Sequence, residues 1–252
     1  MVPLWLQAGF WGLVSGSALV AGALAGYYLH VPQRLIAAIM AFGSGVLISA
    51  LAFELMDKAY ARGGFGATAV GFLGGAIIYT AANWWLATRG AKHRKRSDTS
   101  QPTEAEVSGS GLAIALGSLL DGIPESIVVG VSLLEGTGVS IVAVAAIFLS
   151  NVPEGLSGAA GMKRARRSAR YIFGLWSGIA IASGIAALVG NTLFNGVSPR
   201  TISVTMAVAA GAILAMITDT MIPEAFETAH DFAGLITVTG FLAAFALSKL
   251  AS

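Results

Sequence analysis

Three Pro-Glu pairs lie inside apolar segments of this chain, and their glutamates are its strongest candidates for functional residues. They are Pro124-Glu125, Pro153-Glu154 and Pro223-Glu224. A carboxylate in mid-bilayer costs about 2.5–3.5 kcal/mol on the mildest insertion scale, and a proline removes a helical hydrogen bond. Two pairs occur in near-copies, Asp121-Gly-Ile-Pro-Glu-Ser126 and Ser150-Asn-Val-Pro-Glu-Gly155. Because the buried carboxylate and the lost helical hydrogen bond are both repeated, the pattern predicts that the two motifs act together. Binding of a cation is the simplest function that explains them.

The polar side chains of the two copies are expected at a common depth. Asp121 and Glu125 are four residues apart and share a helix face. They lie roughly 16 and 22 Å from the inner end of the predicted fourth span. The predicted fifth span returns beside it and carries Ser150, Asn151 and Glu154 roughly 12–18 Å from the same end. No Lys, Arg or His lies in the middle of these spans, so the sequence predicts that a cation or protons neutralise the acids.

Two interpretations of these acids stay open at this point. In the structural one, each acid is protonated or hydrogen-bonded between helices and the prolines only kink the chain. In the functional one, the acids form an ion path, which two further residues extend. Glu54 closes the predicted second span near the outer side, and Asp219 lies deep in the seventh.

The elements that must position these residues follow from composition. Of the 252 residues, 56% are hydrophobic and only 11% are charged, with a mean hydropathy of +0.77. These values are typical of an all-α polytopic membrane protein. Cysteine is absent, which excludes disulfides, thiolate metal sites and a cysteine nucleophile. Apolar runs of about 20 residues predict eight spans, at roughly 5–29, 33–57, 64–88, 109–134, 138–162, 170–192, 201–225 and 231–250.

Basic residues predict the orientation of the spans. With both termini outside the cytoplasm, most Lys and Arg residues fall in inner loops, as the positive-inside rule requires. This arrangement predicts a multi-pass protein of a bacterial-type inner or plasma membrane. The longest polar stretch, 89–108, is predicted to be a flexible cytoplasmic loop between spans three and four. Its single histidine, His93, fits a solvated charge run better than a metal-sensing loop.

Internal similarity and small residues predict how the spans pack. The segment 45–59 resembles 211–225, and the predicted directions of these two spans are opposite, as an inverted repeat requires. Glycines also recur at four-residue spacing, which lets helices approach closely in lipid. These pairs are Gly12/Gly16, Gly22/Gly26, Gly71/Gly75 and Gly174/Gly178.

The eight predicted spans, the outward termini, the long third loop and the paired motifs resemble the ZIP (Zrt/Irt-like) family of divalent-metal transporters. The resemblance covers essentially the whole chain, 1–252, as one transmembrane domain. It implies a 3+2+3 helical bundle with inverted pseudo-symmetry, often in a homodimer. It also implies alternating access that moves metal towards the cytoplasm. Glu125 and Glu154 match the family's metal-bridging glutamates, and Asn151 matches its amide or carboxylate position.

The chain departs from the family pattern at three positions. Asp121 stands where a histidine is usual, Ser150 where His or Gln is usual, and Gly122 where Asn is usual. Carboxylate, amide and hydroxyl oxygens suit harder ions than imidazole does. The site is therefore expected to favour Mn²⁺ or Fe²⁺, or to bind Zn²⁺ or Cd²⁺ weakly. The ion is the transported substrate, and no cofactor is expected. The full set of candidate metal ligands is Asp121, Glu125, Ser150, Asn151, Glu154, Glu54 and Asp219.

Other function classes are less consistent with the sequence. A membrane-embedded hydrolase could use Asp121 and Asp219 as an aspartyl dyad, but no Gly-x-Gly-Asp motif lies near either and no His-Glu-x-x-His motif occurs. The chain is therefore expected not to be an enzyme. A carrier coupled to protons or organic cations, or a relative that has lost transport, remains as the third interpretation. The expected partners are metal ions and the lipid bilayer, with no nucleic acid.

Overall fold

The computed structural model describes residues 2–135 and 139–251, and this part of the chain is helical with no strand. Six helical segments within it are long and apolar enough to cross a membrane: Leu4–Tyr28, Gln33–Ala91, Ser110–Ser132, Ile141–Arg164, Ala169–Phe194 and Pro199–Leu250. The all-helical prediction is confirmed, and these apolar helices are compatible with a membrane-spanning protein. The count of eight spans stays a prediction.

The helices follow the chain in a simple order. The first five are α1 (Leu4–Tyr28), α2 (Gln33–Ala50), α3 (Asp57–Leu86), α4 (Ser110–Ser132) and α5 (Ile141–Arg164). The last four are α6 (Ala169–Phe194), α7 (Pro199–Met216), α8 (Ile222–Ala229) and α9 (Ala233–Ala251). Prolines 124 and 153 lie inside α4 and α5, which continue through them.

The two longest helical segments contain sharp breaks. Gln33–Ala91 has 59 residues, whereas about 20 residues span a bilayer core. Within it, Gly64 has φ 68° and ψ 178°, a conformation that favours glycine. In the segment Pro199–Leu250, His230 has φ 33° and ψ −104° and ends α8. A non-helical residue thus interrupts each long segment, at Gly64 within α3 and at His230 after α8.

The two segments that resemble each other in sequence share a local irregularity. A π-helical turn follows α2 at Leu51–Met56, and another follows α7 at Ile217–Met221. These turns fall at matching positions of the aligned segments 45–59 and 211–225. Such turns are rare and are often found near functional sites. The local geometry thus agrees with the internal similarity, while the inverted relation of the two halves stays a prediction.

Small residues bring the helices together, as predicted, for three of the four glycine pairs. Gly12 and Gly16 face α6, Gly22 and Gly26 face α5, and Gly71 and Gly75 face α7. The fourth pair, Gly174 and Gly178, mediates no such contact, because a methyl group added at either residue would meet no described atom within 4 Å. Gly155 likewise lets another helix approach, because it lies against the backbone of Leu19 in α1.

Neighbouring glycines of α3 provide a test of this close packing. A methyl group at Gly75 would collide with the backbone of Val208, whereas at Gly74 it would meet no atom within 4 Å. Both changes to alanine gain about 1 kcal/mol of helix propensity. The difference between the two variants in unfolding free energy therefore reports the contact of Gly75 with Val208. We expect Gly75→Ala to lower the unfolding free energy by about 1–3 kcal/mol relative to Gly74→Ala. Equal thermal unfolding temperatures in detergent would contradict this.

Candidate functional site

The acids of the two sequence motifs are buried inside the bundle. Asp121 and Glu125 of α4 are 1% and 2% exposed, and Glu154 of α5 is 4% exposed. Asp121 and Glu125 are one helical turn apart in α4, and a single ammonium, that of Lys95, lies within 3.3 Å of both Asp121 and Glu154. The structure therefore gathers these three predicted residues in one region, and none of them faces the surrounding lipid.

Two basic residues from the loop before α4 enter this region. Lys95 Nζ lies 2.8 Å from Glu154 Oε2 and 3.3 Å from Asp121 Oδ2. The guanidinium of Arg94 forms a two-bond pair with Asp121, with Nε 2.9 Å from Oδ2 and Nη2 2.7 Å from Oδ1. The hydroxyl of Tyr79 in α3 also donates to Asp121 Oδ1, at 2.6 Å. Asp121 is thus surrounded by donors on both carboxylate oxygens.

These contacts correct the expectation that a metal cation or protons alone neutralise the acids. The spans indeed hold no basic residue at that depth, but the loop supplies Arg94 and Lys95, which are 1% and 3% exposed. Buried charges persist in a protein when they are paired and hydrogen-bonded. Arg94 and Lys95 thus supply two positive charges, which balance the carboxylates of Asp121 and Glu154. Glu125 is a third carboxyl group in the same region.

The part of the loop that carries Arg94, Lys95, Ser97 and Gln101 is anchored rather than solvated, which is a second correction, whereas residues 104–109 are exposed. The backbone N–H and hydroxyl of Ser97 donate to Glu224 Oε1 at 2.9 and 2.7 Å. Ser157 in α5 donates to the carbonyl oxygen of Lys95 and lies 3.2 Å from Glu224 Oε1. Gln101 Nε2 bonds the carbonyl oxygens of Arg94, Arg96 and Gly158. Glu224, from the third Pro-Glu pair, thus holds the loop in place.

Glu125 differs from the other two acids because one of its oxygens has no hydrogen-bond partner. Its Oε1 is buried and unpaired among the described residues. An unsatisfied buried oxygen costs about 1–3 kcal/mol, so such a group calls for an explanation. A ligand that arrives transiently is one explanation.

The two remaining residues of the central set are used for helix contacts in this conformation. Ser150 Oγ donates to the carbonyl oxygen of Ile147 at 2.9 Å. Asn151 Nδ2 donates to the carbonyl oxygen of Ser15 in α1 at 3.0 Å. Both side chains are buried, and the amide oxygen of Asn151 is not needed for its bond to α1.

The structure separates the two outlying candidates, Glu54 and Asp219. Glu54 accepts hydrogen bonds from Ser140 and Ser248, and pairs with Lys58 at 3.2 Å. None of these partners contacts the central acids in the described residues. Asp219 is exposed and lies 3.4 Å from Asn83 Nδ2.

Asn83 connects Asp219 to the central region. Its Oδ1 accepts a hydrogen bond from Arg94 Nη1 at 2.9 Å, and Arg94 in turn holds Asp121. Asp219 is therefore linked to the centre through two side chains, whereas Glu54 lies apart from it. The run of basic residues Arg94-Lys95-Arg96 was the one signal in the sequence for these partners, and its composition alone did not indicate burial.

The buried acids form a site for positive charge, and in this structure side chains of the protein itself supply that charge. Among residues 2–135 and 139–251, no three Asp, Glu or His side chains converge as a ready set of metal ligands. The acids instead contact Arg94 and Lys95. A metal could bind Asp121 and Glu154 only if these two side chains move away from them.

A scan against protein-family models and a search of curated proteins both find no match for this sequence. The function of the chain therefore has to be inferred from its residues and their geometry.

A second electrostatic cluster fixes the far end of the loop. Hydrogen bonds hold the pKa of the exposed Glu104 carboxyl down from its ordinary value of 4.5 to about 2. The bond from Arg167 contributes most, and the backbone N–H groups of Gly109 and Gly111 follow. Since the folded pKa is below the unfolded one, this carboxylate stabilises the loop above about pH 4.5, and its contribution is lost as the pH falls towards 2.

We expect Glu104→Gln to loosen this end of the loop at neutral pH, because the glutamine loses the charge-assisted bond to Arg167 at 2.6 Å. Amide hydrogen exchange in residues 103–111 should become several-fold faster. The matched control is Glu106→Gln, whose carboxylate bonds only Thr103 in the described structure. Equal exchange in both variants would show that the Arg167 contact does not order the loop.

Proposed function

We propose that this chain is a divalent-metal cation transporter that resembles the ZIP family and moves ions towards the cytoplasm by alternating access. The observation that carries the proposal is the burial of Asp121, Glu125 and Glu154 on neighbouring helices around positive charge. A lysine ammonium bridges two of the carboxylates at 2.8 and 3.3 Å. The third acid, Glu125, keeps an unpaired oxygen.

Electrostatics favours a divalent ion at this place. Two unit charges 4 Å apart attract by about 4 kcal/mol at an effective dielectric constant of 20, and a divalent ion doubles that value for each carboxylate. Three carboxylates around one ion thus help to offset its desolvation, which is large in a buried site. Lys95 and Arg94 occupy two of these carboxylates in the described conformation, so the proposed substrate takes their place when it binds.

The ligand chemistry gives an expected preference for the harder ions. Asp121, Glu125 and Glu154 offer carboxylate oxygens, and Ser150 and Asn151 become available if their helix contacts rearrange. An oxygen set suits Mn²⁺ and Fe²⁺ better than it suits a soft ion. The absence of cysteine from the chain and of histidine from the described site supports the same preference.

The finer architecture belongs to the same proposal. The breaks at Gly64 and His230 are the proposed span boundaries within the two long helical segments, and with them the six apolar segments correspond to the proposed eight spans of a 3+2+3 bundle. The anchored loop packs against Gly158 of α5 and pairs with Arg167, so it lies on the side with the most basic residues. By the positive-inside rule that side is cytoplasmic, and both termini then lie on the opposite side, with homodimers as the expected assembly.

Ion uptake into proteoliposomes tests this function. Purified protein should accumulate Mn²⁺ or Fe²⁺ above empty liposomes, and Zn²⁺ and Cd²⁺ should compete less well. Strong preference for Zn²⁺ would contradict the expectation from ligand hardness. Absence of uptake for all four ions would contradict the proposed function itself.

The hydrolase alternative gains no support from the described geometry. Asp121 is held by Arg94 and Tyr79, whereas Asp219 is exposed and bonds Asn83. An aspartyl dyad needs the two carboxyl groups to share a site, and these two are separated by Asn83 and Arg94. We therefore propose no enzymatic activity.

A further inference from the structure

The side chains of Arg94 and Lys95 balance the charge of the site without any bound ion. Arg94 pairs with Asp121, and Lys95 bridges Asp121 and Glu154. We propose that these two residues are the internal counter-cations of transport, an inference that rests on the proposed function. They replace the metal ion at the carboxylates when it leaves towards the cytoplasm, and they withdraw when the next ion enters.

An empty carrier needs replacement charge at its buried carboxylates. Removing one partner from a buried ion pair is strongly destabilising, because the other charge is left unpaired. When a carrier releases a divalent ion, two or more buried carboxylates are left without a positively charged partner. Lys95 and Arg94 return two positive charges to Asp121 and Glu154, so release of one divalent ion and entry of both side chains conserve the local charge.

The two basic residues are attached to a segment that can move. They lie in the stretch 92–109 between helices. Hydrogen bonds of Ser97, Gln101, Ser157 and Glu224 hold its middle, and the pair of Glu104 with Arg167 holds its far end. This stretch is not part of a long helix, so its movement breaks loop contacts and no hydrogen bond within a long helix. A tethered group also competes with a free ion at an effective concentration in the millimolar range.

The site also distinguishes Glu125 from its neighbours. The loop cations contact Asp121 and Glu154 directly, whereas Glu125 keeps an unpaired Oε1 at 2% exposure. A metal ion entering beside Lys95 therefore finds one free carboxylate first. It then displaces the ammonium from the other two, which makes exchange stepwise.

Movement of the loop can be measured because the chain contains no cysteine of its own. The single variant Ser97→Cys places a thiol where the loop is 3% exposed. We expect slow alkylation of this thiol in the ion-free protein and at least tenfold faster alkylation in saturating Mn²⁺. The control variant Ser100→Cys, at an exposed position, should react at the same rate in both conditions. Equal alkylation of Ser97→Cys with and without Mn²⁺ would overturn the inference.

A double variant locks the loop in place. The hydroxyls of Ser97 and Ser157 both contact Glu224 Oε1, at 2.7 and 3.2 Å, so the two side chains lie near each other. Ser97→Cys is combined with Ser157→Cys, and disulfide formation on oxidation is checked by mass spectrometry. Oxidation should stop Mn²⁺ uptake in liposomes, and reduction should restore it. Uptake that continues at the same rate with the disulfide formed would also count against loop withdrawal.

The role of the charge itself is tested by substitution. Lys95→Met keeps an unbranched side chain without the ammonium, and should slow Mn²⁺ release from preloaded protein at least tenfold. Lys95→Arg should restore release, whereas the exposed Lys92→Met should leave it unchanged. Unchanged release in Lys95→Met, with wild-type uptake intact, would overturn the inference and leave the proposed function standing. No uptake by the wild-type protein would overturn both.

Discussion

Glu125→Gln will abolish metal uptake without a loss of stability. Glu125 supplies a carboxylate to the proposed ion, so its neutral amide should lower Mn²⁺ uptake in proteoliposomes at least a hundredfold. In the described conformation its Oε1 has no hydrogen-bond partner, so few native contacts are lost. We expect the unfolding free energy to stay the same or to rise by about 1 kcal/mol, because an unsatisfied carboxylate is removed.

Glu154→Gln provides the matched comparison. Glu154 also supplies a proposed ligand, so uptake should fall equally. Its Oε2, however, pairs with Lys95 at 2.8 Å, and the variant leaves that ammonium with Asp121 as its one close carboxylate among the described residues. Its thermal unfolding temperature should fall, whereas that of Glu125→Gln should not. Normal uptake by Glu125→Gln would remove this residue from the ion site.

Arg94→Met will destabilise the protein more than any surface substitution of a basic residue. The guanidinium makes two hydrogen bonds to Asp121 and further bonds to Tyr79 and Asn83. Its loss leaves a buried carboxylate short of partners, and we expect the unfolding free energy to fall by about 3–5 kcal/mol. The exposed Lys92→Met should change stability by less than about 0.5 kcal/mol.

A double-mutant cycle separates the ion pair from simple packing. Asp121→Asn combined with Arg94→Met removes both charges, and should be less destabilising than the sum of the two single variants. We expect a coupling of about 0.5–3 kcal/mol, which is the range for residues in direct contact. Additive effects, measured by reversible unfolding in detergent, would show that the pair does not form. The unfolding free energies of these variants can be compared without knowing which ion the protein carries.

The burial of the motif acids was predictable because it depends on short-range spacing. Asp121 and Glu125 share a face of α4 by the helical period, and long apolar runs on either side place them inside a membrane. The prediction that glycine spacing brings helices together held for the pairs in α1 and α3 for the same reason. It did not hold for Gly174 and Gly178 in α6, because spacing alone does not say which face of a helix has a neighbour.

The partners of those acids were not predictable from local pattern. A charge run such as Arg94-Lys95-Arg96 has the composition of a solvated loop, and composition sets only an average tendency. Its burial depends on three distant groups in the bundle, namely Asp121, Glu154 and Glu224. The partners of Glu54 were equally unpredictable, because Ser140 and Ser248 are distant in the sequence; its role as a path residue stays a prediction.

The amino-acid sequence by itself determined that the chain forms long apolar helices and that repeated Pro-Glu motifs carry acids into them. Helical periodicity and the free energy of transferring apolar groups from water act over a few residues, so they can be read along the chain. Only the tertiary structure decided which charges neutralise those acids. The decisive bonds join residues 27, 59 and 127 positions apart, and they form because buried carboxylates need partners that only the folded bundle brings within reach.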